Sequence, residues 1–317
     1  MKQHRRGHYT GNTYDLPRAT HQYNTRAQGT RVGPMAQHVA ILARNLQGHH
    51  QANVVIEPTT GASLEYRHLV KAPTKSIWEN SFANEIGQLS QGFGTRMQSG
   101  TNTIFFIPKG KVTAGRTVTY GRIVAEIRPQ KAETHHTRLT VGGNVTNFPG
   151  DVTTSTADLI TAKLIFNSVL STKNTKLMCA DIANFYLNNP MDRYEYMKLP
   201  LVIIPEEIIQ QYNLRNLEHK GFVYMEIQKG IYGLPQAGKI ANDKLKLHLA
   251  KYGYKPAPIT PVLWRHKTRP LQFSLVADDS GIKYERQEDI THILDALKTI
   301  HKISEDWDGK LCCGQNL

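Results

Sequence analysis

Cysteine is scarce in this chain of 317 residues: Cys179, Cys312 and Cys313 are all it has. An odd count without Cys-x-x-Cys spacing argues against a disulfide framework and against a thiolate zinc site. It suggests a reducing compartment. Long apolar runs are missing too. No stretch of about 18 apolar residues occurs, so no transmembrane helix is expected. The N-terminal "MKQHRRGHYTGNTYDLP" is basic, but no apolar core follows it, which excludes a secretory signal. Acidic residues are outnumbered, 26 Asp and Glu against 39 Lys and Arg, for a formal charge of +13. That balance suits a polyanion partner such as nucleic acid or anionic lipid. Histidine is plentiful but scattered. Its pairs at 49–50 and 135–136 lack the i,i+4 spacing of a zinc helix.

Apolar side chains are thin over residues 1–70, which are rich in Gln, His, Asn, Thr, Gly and Arg. This stretch is expected to be a basic, largely disordered linker, because it has too little apolar surface to offset the entropy of ordering. One apolar patch, "MAQHVAILARNL" at 35–46, has the length of a short helix. From about Ala72 the texture changes. In "SIWENSFANEIGQLSQG" (76–92), Trp78, Phe82 and Ile86 share one helical face, with Leu89 following. "NTIFFIPKGKVTAGRTVTYGRIVAEIRPQ" has apolar and β-branched runs broken by Gly and Pro, as strands do. "HTRLTVGGN" (136–144) predicts a strand ending in a Gly-Gly turn. "STADLITAKLIFNSVLST" (155–172) predicts a helix capped by Ser155 or Thr156, with Leu159, Ala162, Phe166 and Val169 inward. "KLMCADIANFY" (176–186) predicts an apolar strand ending in Asp181. "GFVYMEIQKGIYGLPQAG" (221–238) predicts a strand and a Gly-rich turn. After it, Ala237, Ala241, Leu245 and Leu249 recur at helical spacing. "PLQFSLVADDSGIKYE" (270–285) predicts a hairpin turning at Asp-Asp-Ser-Gly. "EDITHILDALKTIHKI" (288–303) predicts a helix with Ile290, Ile293, Leu294, Leu297 and Ile300 on one side, and "DWDGKLCCGQNL" starts another strand. Helices and strands mix without regular β-α alternation, so the expected fold class is α+β.

Two adjacent carboxylates, Asp278 and Asp279, close the apolar run "FSLVADDSG" (273–281). Asp-Asp-Ser-Gly is ordinary turn chemistry, and most such pairs end a strand in solvent. The alternative is a cation. Like charges this close repel, and a hard metal ion favours keeping both ionised. Asp181 ends a second strand. Carboxylates at neighbouring strand ends can clamp two Mg²⁺ ions roughly 3.5–4 Å apart for in-line displacement at phosphorus. Spacing alone leaves both readings open.

Four blocks, in order, resemble those of the copia-type retrotransposon reverse transcriptases. "HTRLTVGGN" is similar to that family's Lys-Ala-Arg-Leu-Val-x-x-Gly strand. "ADIANFYLNNP" with "YEYMKLP" resembles its first catalytic block, "KGIYGLPQAG" its Leu-Tyr-Gly-Leu-x-Gln-Ala block, and "LVADDSGIKY" its x-x-Asp-Asp hairpin. The resemblance covers about Trp78 to Leu317. It implies an RNA-directed DNA polymerase domain of a gag-pol polyprotein, a nucleotidyltransferase adding dNTPs to a primer 3′ end. The implied shape is a right hand. Its fingers are at about 71–150 and 188–235, and its palm, with an antiparallel sheet, at about 151–187 and 236–317. Two Mg²⁺ ions are implied, with Mn²⁺ as a substitute. The implied partners are an RNA/DNA primer–template, dNTPs and the rest of the polyprotein, with no membrane. The implied location is the cytoplasm, in a virus-like particle, and the nucleus, not the secretory route.

The same resemblance implies residue roles. Asp181 and Asp278 would bind the metals, with Asp279 in support. Tyr186 would lie under the incoming sugar and exclude a 2′-hydroxyl. Gln236 would offer its amide to the nucleotide, and Arg138 would neutralise the triphosphate. Without the resemblance these three would be taken for a core aromatic, a helix-start residue and a solvated strand arginine. The chain also departs from the family. His136 stands where a lysine is usual, which weakens triphosphate binding at neutral pH. Val276-Ala277 precede the aspartates without the common aromatic. The thumb and RNase H are expected to be missing. The alternative is therefore an inactive, truncated remnant that only binds nucleic acid.

Overall fold

A computed structural model describes residues 55–57, 61–71, 73–129, 133–154, 157 and 159–309, with the backbone of 311–312 and 315–316. The apolar patch at 35–46 and most of the expected linker lie outside the described residues. Described order begins earlier than the change of texture at Ala72 suggests. Val55, Tyr66 and Leu69 are already buried in the first core.

The described helices are α1 (Tyr66–Leu69), α2 (Lys75–Leu89), α3 (Leu159–Ser171), α4 (Glu206–Gln211), α5 (Ala237–Lys251) and α6 (Gln287–Lys298). The first sheet is built from β1 (Ile104–Ile107), β2 (Val118–Ile127), β3 (His135–Val141), β5 (Pro190–Pro200) and β6 (Phe222–Lys229), in the order β1-β6-β5-β2-β3. Its one parallel contact joins Val118–Tyr120 of β2 to Tyr196–Lys198 of β5. The second sheet holds β4 (Lys176–Ile182), β7 (Tyr254–Pro256), β8 (Leu263–His266), β9 (Leu271–Val276), β10 (Asp279–Tyr284) and β11 (Ile303–Asp306). Its order is β11-β4-β10-β9-β8-β7, and every pairing in it is antiparallel. The fold is thus mixed α+β.

Each sheet has its own core. The first gathers Trp78, Phe82, Ile86 and Leu89 of α2 against Leu139, Met197, Val223 and Met225. The second gathers Met178, Ala180 and Ile182 of β4, Phe273 and Ile282 of the hairpin, Ala241, Leu245 and Leu249 of α5, and Ile290, Ile293, Leu294 and Leu297 of α6. Trp264 stacks on Phe273 with ring centroids 5.5 Å apart. Burying one such side chain contributes about 1.5–3 kcal/mol, which is why the period-2 and period-3.6 patterns hold.

Several local expectations are corrected. The hairpin turns at Ala277-Asp278, not at Asp-Asp-Ser-Gly. Asp279 already pairs with Val276 as the first residue of β10. Ala277 takes the left-handed conformation (φ 56°) that the two-residue turn demands. On α3, Ala162 is buried as expected, and so is Ile165. Phe166 and Val169 are only half-buried, and the Leu159 side chain, Ser155 and Thr156 lie outside the described set. Helix α6 stops at Lys298, before Ile300; β11 ends at Asp306, and the strand expected from "DWDGKLCCGQNL" forms within it, at Leu311–Cys312. Cys179 is disulfide-bonded, against the argument from an odd cysteine count. The short strand β12 (Leu311–Cys312) returns alongside β4, a proximity that no spacing rule contains. Among the described residues no helix is long and apolar enough to cross a membrane.

Candidate active site

The second sheet aligns the aspartates. Asp279 on β10 stands directly opposite Asp181 on β4. Directly opposed residues of an antiparallel pair point to the same face, with Cβ atoms about 4.5–5.5 Å apart. Asp181 is exposed, and Asp278 and Asp279 are half-buried. Asp278 occupies the turn, where its carbonyl accepts the Ile182 N–H at 2.9 Å. That bond ties the turn to the residue after Asp181. Opposed like charges on neighbouring strands destabilise one another, and oxygen ligands paired in this way suit a hard divalent cation. The strand partner of Asp181 is therefore Asp279, and Asp278 stands next to it in the turn. Among the described residues no group of three or more His, Cys, Asp or Glu side chains is arranged to hold a metal ion. The fit to Mg²⁺ rests on the Asp181–Asp279 pair, with Asp278 beside it.

Past Asp181 the chain leaves β4 through Asn184, in the left-handed region at φ 57°, and turns back on itself. Asn188 Nδ2 donates to the Ala183 carbonyl at 3.2 Å, and the Asn189 amide donates to the Phe185 carbonyl. This tight turn buries Phe185 in the second core and leaves Tyr186 packed against both cores. Burial raises the Tyr186 hydroxyl pKa, the Asp278 charge adds to the rise, and Arg138 opposes it. The Tyr186 hydroxyl is therefore within electrostatic reach of both Asp278 and Arg138.

A residue the sequence analysis missed joins them. Tyr232 stands edge-on to Tyr186, with centroids 5.4 Å apart, and the Arg138 guanidinium lies 4.3 Å from the centroid of its ring. Burial pushes the Tyr232 hydroxyl up to about 12, against the lowering effect of Arg138. The Gly-rich loop after β6 puts the ring there. Gly233 has φ 93°, and a Cβ on it would lie 2.1 Å from the Val141 carbonyl. Only glycine lets the loop lie flat on the end of β3, where the Val141 N–H donates to the Tyr232 carbonyl at 2.8 Å.

Arg138 is aimed by a second device. β3 is an edge strand of its sheet, so alternate N–H groups have no strand partner. Helix α2 supplies the acceptors: Ser81 Oγ takes the Thr137 N–H at 2.9 Å, and Glu85 Oε1 takes the Leu139 N–H at 2.9 Å. These bonds bracket Arg138. Burial pushes the Glu85 carboxyl up to about 7, against the lowering effects of the Leu139 N–H, His136 and Arg138. His136 is held by acids, with Nδ1 3.0 Å from Glu126 Oε1 and Nε2 3.9 Å from Glu133 Oε2.

Gln236 departs from its expected role. It starts α5 but is only 1 % exposed, and its Nε2 faces Glu195 Oε1 at 3.5 Å. Its buried Oε1 has no partner among the described residues. The amide supports the wall behind the loop instead of facing an incoming ligand. The structure thus brings Asp181, Asp278, Asp279, Tyr186 and Arg138 toward one place, adds Tyr232 with Glu85 behind it, and leaves Gln236 out. Neither a protein-family model nor a curated protein sequence matches the chain.

Proposed function

We propose that this chain is the fingers and palm of an RNA-directed DNA polymerase of the copia retrotransposon type, adding dNTPs to a primer paired with an RNA template. The first core and its sheet correspond to the fingers in this reading, the second to the palm. One observation carries it: Asp181 opposes Asp279 at neighbouring strand ends, and the turn residue between the hairpin strands, Asp278, acts with Arg138 on the Tyr186 hydroxyl. An arginine, an aromatic ring and a set of carboxylates meet the needs of a triphosphate, a sugar and a divalent cation respectively.

Each group has a distinct task. Arg138 keeps its face on Tyr232, so its in-plane N–H groups remain for phosphate oxygens. Tyr186 presents a ring that leaves no room for a 2′-hydroxyl. Asp181 and Asp279, with Asp278, would hold Mg²⁺ and orient it toward the primer end. When bound, Mg²⁺ activates the attacking 3′-hydroxyl and neutralises charge on the leaving pyrophosphate. Glu85 and Ser81 hold the strand that carries Arg138, and a fixed donor stabilises transition-state charge better than a mobile one.

A second reading has an observation in its favour. With no three-acid group arranged for a metal among the described residues, the chain would be a remnant that binds nucleic acid without extending it. Primer extension on a homopolymer RNA template with Mg²⁺ and dNTPs separates the two. The polymerase reading predicts extension that Asp278→Asn abolishes. Normal extension by Asp278→Asn removes the metal role. No extension by either protein, both folded, leaves the remnant.

A further inference from the structure

Helix α2 carries a polar stripe. Ser81, Glu85 and Gln88 fall at i, i+4 and i+7, so they share one face over about 10 Å of helix. The first two hold β3 on either side of Arg138. The third reaches a different element. Gln88 Nε2 donates to Asn184 Oδ1 at 2.8 Å, across 96 residues of chain. Asn184 is the left-handed residue of the turn that leaves β4 and leads to Tyr186. Glycine takes that conformation more readily than asparagine, so the backbone alone does not require an amide here. Both partners are half-buried, where water competes less for the bond. Both are also fixed from behind. The Gln88 carbonyl accepts the Thr101 N–H at 2.6 Å and Thr101 Oγ1 at 2.8 Å, which pins the last turn of α2. The Asn184 carbonyl accepts the Asn188 N–H at 3.1 Å, and the Ala183 N–H before it donates to the Lys302 carbonyl at 2.9 Å. Gly230 closes the far end of the turn. Its N–H donates to the Asn189 carbonyl at 2.9 Å, and a Cβ on it would lie 2.8 Å from the Tyr186 carbonyl.

We propose that Gln88 is a positioning residue for sugar selection: its bond to Asn184 sets where the Tyr186 ring stands relative to Arg138. The inference rests on the polymerase reading and adds what calibrates its choice of sugar. Helix α2 then refers both nucleotide-facing groups to one rigid face, Arg138 through Ser81 and Glu85, and Tyr186 through Gln88 and Asn184. Arg138 holds the triphosphate and thereby fixes the sugar's distance from the strand. A ring displaced by about 1 Å from that reference no longer meets a 2′-hydroxyl, and misplacements of this size carry large kinetic effects. Gln88 itself touches no part of the nucleotide.

The test uses the full chain and two readouts. 3-Fluorotyrosine at position 186 reports the ring by ¹⁹F NMR without any catalysis. Single-nucleotide incorporation on an RNA template gives kcat/KM for dTTP and for UTP. Gln88→Ala removes the donor. Asn184→Gly removes the acceptor and keeps the left-handed turn. Asn84→Ala, which cuts a 3.2 Å contact with Arg96 on the same helix, is the control. The ¹⁹F resonance should shift or broaden in Gln88→Ala and Asn184→Gly and stay in place in Asn84→Ala. The preference for dTTP should fall about fivefold in both, the worth of one neutral hydrogen bond, and the double variant should fall no further than either single one. A merely structural role would lower both incorporations together and leave their ratio alone, and that result overturns the proposal. An unchanged resonance in both variants overturns it too, whatever the chain does with nucleotides. A wild-type chain that incorporates neither nucleotide overturns the polymerase reading and the sugar role with it, while a resonance that still moves keeps Gln88 as the residue that positions Tyr186.

Discussion

Tyr186 is the side chain on which most of the site converges. Phe185 lies 5.5 Å behind it, Tyr232 stands 5.4 Å from it edge-on, and the Asp278 charge reaches its hydroxyl. If its ring excludes a 2′-hydroxyl, Tyr186→Ala should relax the preference for dTTP over UTP by on the order of tenfold to a hundredfold in kcat/KM, the usual worth of one steric contact. An unchanged ratio in single-nucleotide incorporation removes that role. Asp181, Asp278, Asp279, Tyr186 and Arg138 were legible before the structure because each belongs to a short block with fixed internal spacing. Tyr232 sits in the remaining block, "KGIYGLPQAG". Its importance comes from a loop that folds onto β3, and no local pattern encodes that approach except the glycine after it. Gln236 was misjudged for the converse reason. Position at a helix start is visible in sequence, but the direction in which the amide is buried is set by β5, which lies more than thirty residues earlier.

Among the elements, the docking of α2 on β3 aims the site. Ser81 and Glu85 both satisfy the free edge of β3, and Glu85 does so while buried. Its carboxyl holds a proton up to about pH 7 in the folded chain, against an ordinary value near 4.5. A carboxyl whose folded pKa is raised stabilises most below the unfolded value and progressively less as pH rises through the folded one. Stability should therefore fall between about pH 4.5 and 7, by roughly 3 kcal/mol at about 1.4 kcal/mol per unit. Glu85→Gln keeps an acceptor for the Leu139 N–H and has no proton to lose. Urea unfolding of the variant should show a flatter profile over that range and greater stability than wild type at pH 8. A profile that still falls like wild type's would mean Glu85 is not the buried acid responsible. Helix α2 itself was legible, since Trp78, Phe82, Ile86 and Leu89 repeat at helical spacing and are all buried. The hairpin turn was misplaced by composition. Asp, Ser and Gly favour turns, but the hydrogen-bond register with β4 keeps Asp279, Ser280 and Gly281 in the strand and passes the left-handed residue to Ala277.

In the molecule as a whole, the chain visits its two cores alternately. Residues between 55 and 141 build the first, 178–185 the second, 187–237 the first again and 241–297 the second again. Tyr186 lies at one crossing, and the short step from Ala237 to Ala241 makes another. This interleaving explains why no linker or composition shift marked the boundary between the two sheets. It also explains why the mixed α+β class was legible while the pairing of β2 with β5 was not, since that contact joins segments more than seventy residues apart. Five candidate residues from three blocks meet only because the crossings bring both cores to one place. Tyrosine-sensitised terbium luminescence measures that meeting most directly, since Tb³⁺ is a hard cation that takes oxygen ligands and emits only when a tyrosine close to it is excited. Wild type should give emission that Mg²⁺ displaces. Asp181→Asn/Asp279→Asn should abolish it, and Tyr186→Phe/Tyr232→Phe should dim it while the ion stays bound. Emission that survives the aspartate change, or never appears, would contradict a single cation site built from the paired aspartates and the tyrosines beside them.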